Sequence, residues 1–94
     1  MTLERRPRPH ELVAGDFLAG EAKDPLAAIM QRFARNLAEA LGDRSNRSFE
    51  RDSGMSNANL VRILKGNVWP DAITIARLEL ATGKSLWPRL DEVH

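Results

Sequence analysis

The stretch Gly54-Met55-Ser56 limits the fold more tightly than any other part of this chain. Glycine reaches the left-handed backbone conformation that closes a helix without the clash a side chain would bring. Two residues later, the Ser56 hydroxyl can accept a hydrogen bond from an unpaired backbone N–H and so open another helix. A helix stopping at Gly54 and another starting after Ser56 are joined by a turn of about three residues, at a steep angle. Similar punctuation recurs along the chain. Asp24-Pro25 pairs a cap with proline at the first helical position, Gly42 and Gly83 are stops, and Ser45, Asp71 and Ser85 are caps.

The residues between these marks carry helical periodicity. Leu26, Met30, Phe33, Leu37, Ala40 and Leu41 recur at steps of three and four, the pattern of an amphipathic helix. A second helix is expected from the Ser45 cap through Phe49 to Ser53, and a third after Ser56. The fourth follows Asp71 and carries Ile73, Ile75, Ala76, Leu78 and Leu80. A fifth is expected after Ser85, with Pro88 in its first turn and Leu86, Leu90 and Val93 turned inward. Trp69-Pro70 makes a rigid linker before the fourth. No β-like alternation is visible. Residues 1–24 differ in texture: Glu4-Arg5-Arg6-Pro7-Arg8-Pro9 is broken by proline, whereas Glu11 to Leu18 reads as a short helix with Leu12, Val13, Phe17 and Leu18 on its apolar side. The expectation is a compact all-α domain of five helices over residues 25–94. Residues 1–24 precede it as an arm or an extra short helix.

Composition removes several functions. The 94 residues suit one small domain. The absence of cysteine excludes disulfides, thiolate metal sites and a thiol nucleophile. His10 and His94 are too far apart in sequence to suggest a metal cluster, and no internal histidine is available to activate a serine. Asp43, Glu50 and Asp52 lack the spacing of a metal loop. No enzyme activity and no cofactor are implied. No apolar run approaches the ~18 residues of a membrane span, and no signal peptide opens the chain, so a cytoplasmic protein without membrane contact is expected.

Charge is uneven. Residues 25–88 hold nine Lys/Arg against six Asp/Glu, a balance of +3, whereas residues 1–24 come to −1. Between Arg44 and Lys65 there are five basic residues and two acidic ones. That excess suits a phosphate-facing surface. On a wheel of 100° per residue, Leu60, Ile63 and Leu64 share one face of the third helix. The other face collects Ala58, Val61, Arg62 and Lys65, flanked by Asn57 and Asn59. Amides pair with adenine, arginine with guanine, and aliphatics touch the thymine methyl, so these residue types can read base edges from the major groove. An ordinary solvated face has the same look on a wheel.

Residues 26 to 87 resemble the Cro/C1-type (XRE) helix-turn-helix family of DNA-binding regulators. The resemblance rests on Ser45-Asn46, Phe49, Gly54-Met55-Ser56, Leu60, Ile63, Gly66, Pro70, Ile73-Thr74-Ile75-Ala76-Arg77-Leu78 and Gly83-Lys84-Ser85-Leu86, in register without a gap. It implies a lambda-repressor-like fold that binds double-stranded operator DNA as a repressor or Cro-like switch. Bases are then met from Asn57, Ala58 and Arg62, with Asn59 and Val61 beside them, and phosphates from Ser45, Asn46, Arg47, Lys65 and Asn67. Three positions depart from the family pattern. Asn46 replaces glutamine and Leu64 a frequent glutamate. Glu50 stands where a small residue is usual, so it must lean outward, pair with Arg47 or Arg51, or mark a shifted helix, since a buried unpaired carboxylate is costly.

One recognition helix spans too few base pairs for a selective site, so a homodimer is expected. Leu86, Trp87, Leu90 and Val93 are its candidate contact residues. Arg5, Arg6 and Arg8 are candidates for a groove-following arm. The rival class is an antitoxin-type module that masks a partner protein, with DNA binding secondary.

Overall fold

The computed structural model describes residues 6–93. Glu4 and Arg5 of the basic arm, and His94, lie outside them. Four α-helices, a two-stranded antiparallel sheet and two short 3-10 turns take the place of the expected five-helix, all-α domain. The four helices stand where the caps and glycines put them. Helix α1 is Pro25–Leu41, opened by the Asp24 carboxylate, which accepts from the N–H groups of Leu26 and Ala27 at 2.8 and 3.2 Å. Helix α2 is Asn46–Ser53, capped by Ser45 and closed by Gly54 in the left-handed conformation. Helix α3 is Asn57–Leu64, capped by Ser56, and α4 is Ala72–Thr82, capped by Asp71 and closed by left-handed Gly83.

The fifth helix does not form. Its place holds a strap and one 3-10 turn, Leu90–Glu92. The Trp87 N–H, which a Ser85 cap could accept, donates instead to Glu79 Oε2 at 3.1 Å, as does the Leu86 N–H at 2.7 Å. The Asn36 amide donates to the Leu86 carbonyl at 2.9 Å. Leu86 is thus held against α1 and α4 with its side chain in the core, and the strap bends at Lys84 and Trp87 without forming a helix.

The expected helix over residues 11–18 is also replaced. A 3-10 turn, Pro9–Leu12, leads into strand β1, Val13–Ala14, which pairs antiparallel with β2, Glu21–Ala22. Between the strands, Asp16 closes a tight loop: its side chain accepts from the N–H groups of Leu18 and Ala19, and its carbonyl accepts from Gly20 N–H. Only glycine fits at position 20, because a Cβ there would lie 1.9 Å from the Ala14 carbonyl oxygen. The loop is seated on α1 by Gln31, whose buried amide donates to the carbonyls of Phe17 and Gly20 at 2.9 and 2.7 Å.

A single core joins these parts. Met30, Phe33, Ala34 and Leu37 of α1 meet Phe49 of α2, Leu60 and Ile63 of α3, and Leu78 of α4; Val13 and Phe17 of the N-terminal segment and Leu86 of the strap complete it. Among the described residues no helix is long and apolar enough to cross a membrane.

Candidate nucleic-acid interface

The α2–turn–α3 unit is set by three contacts. Ser53 Oγ donates to the Phe49 carbonyl and accepts from Met55 N–H, which folds the chain back just past Gly54. Ser56 Oγ accepts from Asn59 N–H at 3.3 Å. Glu50 supplies the third. It leans outward, and its Oε1 accepts from Asn57 N–H at 2.6 Å, so a carboxylate of α2 sits on the first turn of α3. This settles the alternatives left open for Glu50 in favour of an outward lean, with a backbone N–H as partner rather than Arg47 or Arg51. It also changes what α3 offers to a phosphate. The N-terminus of α3, where an anion would otherwise be favoured, already carries an acceptor and a negative charge.

Around α3, Ala58, Asn59, Arg62 and Lys65 are exposed, whereas Asn57 and Val61 are half-buried. The outward ridge is therefore narrower than the six residues read from the wheel. Asn57 and Val61 turn toward a groove lined by Ala38, Leu41, Arg44 and Phe49. On the other flank, Asn59 and Arg62 line a cleft of about 310 Å³ shared with Trp69, Asp71, Thr74 and Arg77. Arg77 thus joins Arg62 at one cleft, although periodicity gave no reason to place α4 beside α3.

The expected phosphate contacts are spread over three places. Ser45 is exposed, with its hydroxyl accepting from Ser48 N–H, Asn46 opens α2, and Arg47 is exposed. Lys65 is exposed at the end of α3, and the half-buried Asn67 follows it, its N–H bound to the Arg62 carbonyl. One cation of the basic segment is committed elsewhere. Arg44 pairs with Asp52, donates to the Ala81 carbonyl at 3.1 Å and lies over the Phe49 ring at 5.4 Å, so it clamps α2 to the end of α4. Arg47, Arg51, Arg62 and Lys65 remain exposed.

The four expected dimer contacts are not brought together. Leu86 is 1% exposed and belongs to the core. Trp87, 44% exposed, tilts against Phe33 with ring centroids 5.4 Å apart, while Leu90 and the half-buried Val93 lie in and after the 3-10 turn. Arg6 lines an apolar groove with Leu26, Ile29, Trp69 and Trp87, and Arg8 directly precedes the Pro9–Leu12 turn. Among the described residues no group of three His, Asp or Glu side chains could hold a metal ion. No protein-family model, curated protein or solved structure matches the chain.

Proposed function

We propose that the protein is a sequence-specific, double-stranded DNA-binding regulator of the Cro/C1 kind, a non-enzymatic cytoplasmic protein that represses by occupying an operator as a dimer. The observation that carries this reading is α3 itself. It is an eight-residue helix reached from α2 through Gly54, Met55 and Ser56, with Ala58, Arg62 and Lys65 along its outer ridge, Asn59 on one flank and Arg77 across the adjoining cleft. A ridge of this width fits the major groove of B-form DNA, where Arg62 can pair with guanine and Asn59 with adenine. Lys65, Arg47 and Arg77 then meet phosphates on either side.

Selection of bound fragments from a random duplex library tests the proposal and yields the operator. On that operator, Arg62→Ala should lose about 1–3 kcal/mol of discrimination at one base position. Lys65→Ala should weaken all duplexes alike and lower the salt slope by about one unit. A selection that enriches no sequence defeats the reading.

A second reading, a module that masks a partner protein, draws on the apolar groove between Trp69 and Trp87, floored by Leu26 and Ile29. A failed DNA selection together with a partner whose binding is lost in Leu26→Asp would favour it.

A further inference from the structure

Helix α4 is apolar on two sides, and only one of them is covered. At 100° per residue, Leu78 and Ile75 point toward the core, while Ile73, Ala76, Arg77 and Leu80 fall within about 100° of one another on the opposite side. Ile73 is 66% and Leu80 84% exposed, whereas Leu78 is 0% exposed. Single exposed aliphatics are ordinary. Here two large ones flank a small alanine along one continuous stripe, the surface on which a second helix packs.

The stripe is self-complementary in shape and in charge. Ile73 projects at its N-terminal end. At the C-terminal end Ala76, Glu79, Leu80, Gly83, Lys84 and Ser85 line a shallow trough, in which the Glu79 carboxylate is taken up by the Leu86 and Trp87 N–H groups. The exposed carboxylate Asp71 stands at the first end, and the exposed Lys84 at the second. A knob and an acid at one end, with a trough and a base at the other, are what two antiparallel copies of one helix require of each other.

We propose that this face is a self-association surface, on which a second copy of the chain lays its own α4 antiparallel about a two-fold axis near Ala76, with Arg77 at the edge of the stripe lining the cleft it shares with Arg62. Ile73 then meets the partner subunit's Leu80 and enters the trough beside it, and Asp71 comes toward the partner subunit's Lys84. Each contact occurs twice, as a closed two-fold interface demands. A dissimilar partner would need only one of these features at each end; a second copy accounts for the order of all four. The area is small, since α4 has only three turns to offer, so the dimer is weak and forms reversibly. The pairing stands on α4 alone. One consequence does rest on the DNA-binding reading: a two-fold of this kind keeps both Arg62–Arg77 clefts on one side of the dimer, where a single duplex can meet them.

The test uses the full chain without DNA, so its failure is distinct from a failure to bind DNA. Sedimentation equilibrium from micromolar to millimolar concentration should show a monomer–dimer equilibrium. Leu80→Glu should abolish it while leaving the monomer's thermal melting unchanged, because the side chain is exposed, and Leu90→Glu should leave it intact. The native chain has no cysteine, which permits a second measurement. A chain carrying Ile73→Cys mixed with one carrying Leu80→Cys should form the mixed disulfide faster than either like pair. Monomer at every concentration, dimerisation unaffected by Leu80→Glu, or preferential like-pair disulfides would each overturn the proposal.

Discussion

Glu50 shows how one residue can serve the fold and oppose a ligand. Its carboxylate accepts from Asn57 N–H at the start of α3, which secures the turn, yet it sets a negative charge beside the helix proposed to meet DNA. Glu50→Gln keeps an acceptor oxygen in the same place and removes the charge. The fold should be unchanged, and affinity for every duplex should rise, most at low salt, because a like charge near the phosphates is relieved. Fluorescence anisotropy at two salt concentrations measures this, and equal affinities would place the DNA away from the first turn of α3. The sequence exposed the problem at Glu50 without its solution. A carboxylate in a slot usually held by a small residue had to turn somewhere, but its partner lies seven residues on and across a turn, beyond the reach of helical spacing. Arg77 was hidden for a related reason, since its closeness to Arg62 depends on how α4 lies beside α3.

At the scale of elements, the bounds of the four α-helices were legible because each is fixed within about three residues of its cap or stop. The strap and the sheet were not. Glu79 reaches forward to the N–H groups of Leu86 and Trp87, a contact between separate elements that outcompetes the local signal of Ser85. The two-residue strands are too short to show alternation. Among the helix stops, Gly66 and Gly83 share φ values of +71° and +70° but differ in surroundings. Open space surrounds a Cβ built at Gly83, whereas one at Gly66 would lie 2.7 Å from the Phe17 ring. Gly83→Ala should therefore cost only the backbone strain, about 1 kcal/mol, and Gly66→Ala should cost a further ~1–3 kcal/mol from overpacking. Urea midpoints measure both, and equal losses would mean that Phe17 yields freely. Helix α4 carries a pH dependence at its cap. Hydrogen bonds from the Thr74 backbone N–H, and then from its hydroxyl, hold the Asp71 carboxyl below its ordinary value of 3.8. A depressed folded value stabilises the helix above pH 3.8 and is lost as pH falls through the lower folded value. Asp71→Asn, whose amide oxygen accepts without titrating, should flatten the acid limb of a plot of melting temperature against pH. An unaltered acid limb would show that the cap contributes nothing to acid unfolding.

Across the whole molecule, residues 9–22 behave as part of the core rather than as an appendage to it. Val13 and Phe17 are buried, and burying two such side chains is worth about 3–6 kcal/mol, comparable to the ~5–15 kcal/mol net stability of a small domain. The N-terminal part of the chain is also tied to the connection between α3 and α4. His10 N–H donates to the Gly66 carbonyl at 2.9 Å, and Trp69 Nε1 donates to the Pro7 carbonyl at 2.8 Å, so the exit of α3 and the linker to α4 are held from the N-terminal side. Deleting residues 1–22 would take Val13 and Phe17 out of the core and uncover Gly66 and the part of α1 on which the segment lies. It would also strip the Gln31 amide of both carbonyl partners and leave it to water. The truncated chain should lose its cooperative thermal transition. A truncated chain that melts cooperatively at the original temperature would show that the four helices hold the domain unaided and that the segment merely rests on them.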